Sequence, residues 1–161
     1  MDILKKAEKF ARKEYVKNDP KHQWSHVQAV MHRALEIAAS LQDVDVELLK
    51  LAVFFHDIDY HSEPTPEENY MKHVDNSVKV AEGWLREHNF PEHRIQKIKR
   101  IILDHSTPHR NKIGDAQLIE GKIIYDADKS IAILSKERFD KYSPKLYFEI
   151  SKELAKKQIK S

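Results

Sequence analysis

The sequence has no cysteine, so disulfides and thiolate chemistry are excluded. Glycine is scarce, at three in 161 residues, which favours helix over turn-rich β structure. No apolar run approaches the roughly 20 residues needed to span a bilayer, and no membrane association is expected. The amino-terminal stretch MDILKKAEKFARKEY alternates charge with apolar residues and lacks a signal-peptide core, so a cytoplasmic location is expected. Charge of one sign is also missing. A formal net charge of +2 gives no electrostatic case for nucleic acid. With 34% charged and 40% hydrophobic residues, residues 1–161 read as one globular domain long enough to bury a sizeable core. What the chain does have is ten histidines, and their placement carries the information.

The stretch LLKLAVFFHDIDY, residues 48–60, organises the rest. Its apolar residues fall on all sides of a helix, and such a helix belongs inside a core. Yet it runs straight into His56 and Asp57. A buried carboxylate is normally paired or bound to a metal, and an adjacent His and Asp can give a nitrogen and an oxygen to one cation. The plainer alternative is that His-Asp caps the helix in water.

The other segments also read as helices. They are expected over Asp2 to Lys17, Gln23 to Leu41, Thr65 to His88, Glu92 to His105, Gly121 to Leu134 and Ser143 to Lys160. Thr65, Pro66 and Glu68 form a strong start signal. Ser106 to Gln117, with Pro108 and Gly114, reads as the longest loop. Polar residues recur on the apolar faces. His26 aligns with Val30 and Ile37, His73 with Ser77, Val80 and Trp84, and His105 ends the stripe of Ile95, Ile98 and Ile102. Asp126 aligns with Ile123, Ser130 and Ile133, while Asp128 aligns with Ile124 and Ile131, so periodicity does not choose between the two acids. Each has an ordinary structural reading, as a cap, a backbone-bonded imidazole or a surface ion pair. Their recurrence on several helices matches the way a bundle builds a metal site from inward-facing side chains.

HxxxV at His26, FFHDI with His56 and Asp57, and YDADKS with Asp126 together resemble the HD-domain superfamily of metal-dependent phosphohydrolases. The resemblance covers roughly residues 19–134, and the helix at about 144–160 lies beyond it. It implies an all-α, single-domain helical bundle in which His26, His56, Asp57 and Asp126 bind one divalent cation. It also implies that His73 and His105 bind a second metal or the substrate phosphate. The chain departs from small members of this kind at Gln23, where an acid is common, and at Ala29, where an arginine is common. It has no Gly-Tyr-Pro motif, which leaves the cyclic-dinucleotide branch unsupported.

Two imidazoles and two carboxylates suit Mn, Fe, Co, Ni or Zn better than Mg, with one or two cations per chain. Asp57 is the natural bridge between two metals. Lys129, Arg110 and Lys112 are candidate phosphate-holding cations, and Asp59 is a candidate proton carrier; ordinary surface roles compete for all but Lys129. The expected activity is hydrolysis of a phosphate ester or anhydride of a nucleotide or other small phosphorylated metabolite. Whether this is monoester, diester or pyrophosphate cleavage is open. A non-catalytic metal- and nucleotide-binding regulatory module is the alternative, and a purely structural helical protein is a third reading. The sequence does not determine oligomeric state.

Overall fold

The computed structural model describes residues 2–159. Nine α-helices follow one another among them: α1 Ile3–Tyr15, α2 Trp24–Ala39, α3 Val46–Phe55, α4 Pro66–Glu87, α5 Glu92–Asp104, α6 Thr107–Ile113, α7 Ile119–Ser130, α8 Lys136–Tyr142 and α9 Glu149–Gln158. Short 3₁₀ turns occupy Pro20–His22 and Ser143–Lys145. No described residue is in a strand, so the fold is all-α as expected. No helix among the described residues is long and apolar enough to cross a membrane.

Helix α3 is the centre of the core. Leu49, Leu51, Ala52, Val53 and Phe55 are fully buried, and α1, α2, α4, α5 and α7 pack around it. Asp45 starts it by accepting from the Leu48 N–H at 3.1 Å. Thr65 caps α4 in the same way through the Glu68 N–H, with Pro66 in the first turn. Asn89, at φ 57, and Pro91 end that helix and start the next.

Helix α3 ends earlier than the apolar run suggests. Beyond Phe55 the last turn tightens, with His56 N–H to the Val53 carbonyl at 3.5 Å and Ile58 N–H to the Phe55 carbonyl at 3.2 Å, and side chains of α1 and its exit take the remaining groups. Asp57 N–H donates to the Tyr15 hydroxyl at 3.2 Å. Asn18, 5% exposed, donates to the carbonyls of His22 at 2.8 Å and Asp57 at 2.9 Å, and accepts from the Tyr60 N–H at 2.9 Å. This side chain fixes the turn from Asp57 to Tyr60 against the exit of α1.

Three further differences lie in the carboxy-terminal half. The loop expected at 106–117 contains α6, capped by Ser106 and ended by Gly114 at φ 88. Helix α8, capped by Ser135, lies where no helix is expected from the sequence. The last helix does not run unbroken from Ser143; the chain bends at 146–148 before α9, and the expected end at Lys160 lies outside the described residues.

Candidate metal centre

Three chain segments bring four side chains to one buried point. Helix α2 brings His26, the end of α3 brings His56 and Asp57, and α7 brings Asp128. One donor atom from each of the four lies within 4.8 Å of all the others. His26 Nε2 is 3.3 Å from Asp57 Oδ2 and 3.3 Å from Asp128 Oδ1. His56 Nε2 is 3.3 Å from Asp57 Oδ2, 3.7 Å from Asp128 Oδ1 and 3.4 Å from His26 Nε2. With metal–donor bonds of about 2.1 Å, the edges of a tetrahedral or octahedral site are about 3.0–3.4 Å. The observed separations sit at or just above that range.

A second group shares the same carboxylate. Asp57 Oδ1 is 3.4 Å from His73 Nε2 on α4 and 3.2 Å from His105 Nε2 at the end of α5. Asp57 thus lies between two imidazole pairs, one oxygen toward each. Its Oδ1 is buried and accepts no hydrogen bond. An unpartnered buried carboxylate oxygen is costly unless a cation meets it.

The histidines are oriented for ligation. His56 Nδ1–H donates to the Val53 carbonyl at 2.6 Å, His73 Nδ1–H to Tyr70 at 2.7 Å, and His105 Nδ1–H to Ile102. Each bond goes three residues back and fixes the tautomer that leaves Nε2 with a lone pair. The His26 and His56 Nε2 atoms face each other at 3.4 Å, a separation that one cation between them would bridge.

The local field favours positive charge at this point. Burial alone lowers the His26 pKa, yet hydrogen bonding to Asp128 and Asp57 pushes it up to about 10. Burial raises Asp57, but His56, His105 and His26 outweigh it and hold the carboxyl well below its usual range. Asp128 is likewise held low, burial being outweighed by Lys129, His26 and His56. Lys129 Nζ sits 3.2 Å from Asp128 Oδ2, and that carboxylate outweighs burial to keep it protonated.

The structure corrects the sequence assignment of the last acid. Asp126 does not join the cluster. It lies on the other side of α7, where it accepts from the N–H groups of Tyr147 at 2.8 Å and Phe148 at 3.0 Å. It anchors the bend that precedes α9. Helix α7 is buried on nearly every side, between α2, α3 and α5 on one flank and α9 on the other, so both acids align with apolar neighbours.

Two other candidates are also placed elsewhere. Asp59 Oδ1 accepts from the N–H groups of Ser62 at 3.0 Å and His61 at 3.3 Å, closing the turn after the His-Asp pair. Arg110 donates to Asp115 at 2.9 Å and to the Lys145 carbonyl at 2.8 Å, with its guanidinium over the rings of Tyr125 and Tyr147. It is a packing residue. His73, His105, Lys112 and Lys129 do line the cavity that opens above the cluster, which has a volume of about 760 Å³. Residues not singled out from the sequence also belong to this region. Asn18 fixes the turn from Asp57 to Tyr60, and Tyr60 stacks at 3.9 Å on His22 and at 4.2 Å against His73. In the sequence Asn18 stands only as part of an Asn-Asp-Pro helix break, which gives no sign of a partner 39 residues away.

The chain matches the HD domain family model over residues 24–133. A crystal structure described as a predicted HD superfamily hydrolase, from an uncultured Thermotogales bacterium, is similar at 25% identity. The match covers 96% of this chain and 82% of that one, with a TM-score of 0.67. A Lactobacillus plantarum protein of known structure shares the fold at 19% identity, covering 91% of this chain and 66% of that one, with a TM-score of 0.61. No curated protein matches. With the model spanning more than half of the sequence and the His, His-Asp and Asp side chains gathered at one buried point, the chain belongs to the HD domain family.

Proposed function

We propose that the protein is a metal-dependent phosphohydrolase. In this reading His26, His56, Asp57 and Asp128 hold one divalent cation, and Asp57, His73 and His105 hold a second. The observation that carries the reading is Asp57, a buried carboxylate between two pairs of imidazole nitrogens with one oxygen unpartnered. The mixed nitrogen and oxygen donors favour Mn, Fe, Co, Ni or Zn over Mg. A cation held there supplies Lewis acidity towards a phosphoryl oxygen and lowers the pKa of water from about 16 towards about 7.

The chain's own residues supply the rest. His56, His73 and His105 are locked by backbone carbonyls, so the donors are set before any ligand arrives. Lys129, cationic and on the cavity wall, is placed to neutralise charge on a phosphoryl oxygen. Positioning and charge neutralisation are most of what phosphoryl transfer to water requires. The similarity to a predicted HD superfamily hydrolase supports the reaction class.

The test is release of inorganic phosphate from a panel of phosphate esters and anhydrides, with added Mn, Co, Ni or Mg. The reading expects turnover with at least one transition metal, and a loss of at least about tenfold in kcat for Lys129→Ala. Cation binding with no phosphate released from any compound would overturn it and favour a non-catalytic binding module.

A further inference from the structure

The cavity above the cluster is larger than one phosphate requires. Its volume of about 760 Å³ falls within the range of about 300–1,000 Å³ that holds a complete small-molecule ligand. Its charges are unevenly distributed. Among the described residues the only carboxylates lining it are Asp57 and Asp128, both at the metal centre. Lys129 is paired with Asp128. Lys112, Arg138 and Lys145 also line the cavity, and none has a carboxylate partner among the described residues.

These three cations come from separate segments, namely α6, α8 and the turn at 143–145. Two of these segments are tied in place, and Arg138 is held on the third. Arg110 of α6 donates to the Lys145 carbonyl at 2.8 Å, and its guanidinium lies over Tyr125 and Tyr147, so the 143–145 turn is fixed against α6. Arg138 Nε donates to the Ala132 carbonyl at 2.9 Å and its guanidinium lies 5.3 Å above the Tyr142 ring, which leaves it little freedom to turn away. Over the whole sequence, basic and acidic residues are nearly balanced, at 28 and 26. Three cations with no acid beside them on this side of the cavity are therefore a local departure, and the chemistry they match is that of an anion.

Resting on the hydrolase reading of this same cavity, we propose that the substrate carries a second anionic group, held away from the metal centre by Lys112, Arg138 and Lys145. The reacting phosphoryl group lies at the metal centre beside Lys129. The organic part of the substrate lies between the two, bounded by Tyr142 on the cation wall and by Tyr70 and Met71 of α4 at the mouth. Tyr70 and Met71 are 63% and 74% exposed, so their side chains are open to a ligand in the cavity. The preferred substrates are thus bisphosphates or other phosphate esters with a second, separate anionic group, not simple monoesters.

The test uses the full chain loaded with manganese and two probe pairs: adenosine 3′,5′-bisphosphate against AMP, and fructose 1,6-bisphosphate against fructose 6-phosphate. Binding is measured by calorimetry and phosphate release by colorimetric assay. The expected result is that at least one bisphosphate binds about tenfold or more tightly than its monophosphate parent. That ratio falls towards unity in the double variant Lys112→Ala/Lys145→Ala and in Arg138→Ala, and is retained in Lys112→Arg/Lys145→Arg. Equal affinities within both pairs, or a preference that survives the double alanine variant, would overturn the proposal. A charge-dependent preference without phosphate release supports this subsite and overturns the hydrolase reading. Phosphate release without any preference does the reverse.

Discussion

The two acids of α7 give opposite predictions when each is changed to alanine. Asp126, itself fully buried, accepts from two part-buried backbone N–H groups, through contacts of 2.8, 3.1 and 3.0 Å. A fully buried donor left without a partner costs about 1–3 kcal/mol, so two part-buried ones cost up to about 2–6 kcal/mol. Part of this is offset, because burial already disfavours the ionised Asp126 and raises its pKa against the pull of those same bonds. A net loss of about 2–4 kcal/mol is expected for Asp126→Ala, and at about 2–4 °C per kcal/mol this lowers Tm by about 5–15 °C. Below that Tm its cation content stays that of the unchanged protein. Asp128→Ala is the converse. It removes an oxygen 3.3 Å from His26 Nε2, and cation affinity falls by more than about 100-fold. Paired thermal melts and metal titrations check both arms. Loss of the cation from Asp126→Ala, with retention in Asp128→Ala, would refute the assignment.

Other positions give equally specific outcomes. A Cβ on Gly121 would lie 2.4 Å from Asp104 Oδ2 and 3.2 Å from its Cβ, where α7 meets α5, so Gly121→Ala is expected to lower stability by about 1–3 kcal/mol in denaturant titration. Asn18→Ala leaves the Tyr60 N–H and the Asp57 carbonyl without their partner; a loss of about 2–4 kcal/mol is expected, together with weaker cation binding by metal titration. Asp45 is lowered from its ordinary value of 3.8, because Arg94 and the Leu48 N–H outweigh burial. Its contribution to stability is therefore fully present above about pH 4 and is lost as pH falls through the folded value. Melts of Asp45→Asn against pH should show a shallower acid limb, and an unchanged limb would contradict the pairing.

Much of this arrangement is legible in the sequence because it follows from local rules. Thr65 and Pro66 start α4 where expected, and Asn89 and Pro91 mark its end. The apolar run before His56 and Asp57 announces a buried helix with a charged end, and the structure confirms the burial of both residues. The stripes on α2, α4 and α5 bring His26, His73 and His105 inward because one face of each helix is solvated. Helix α7 lacks that contrast. Both of its flanks are packed, so Asp126 and Asp128 look alike until the position of α9 is known. Arg110 and Asp59 depend on partners in three dimensions, a carbonyl 35 residues away and a local turn, that no spacing rule supplies. Helices α6 and α8 are each seven residues long, too short for a clear periodic signal.

The most direct test of the central claim is elemental analysis of the purified, metal-reconstituted protein beside its Asp57→Ala variant. With Asp57 serving both groups of histidines, the unchanged chain should carry about one or two transition-metal cations, and the variant should lose them together with phosphate release. A chain that takes up no cation on reconstitution, or an Asp57→Ala variant that keeps the full complement, would contradict the account.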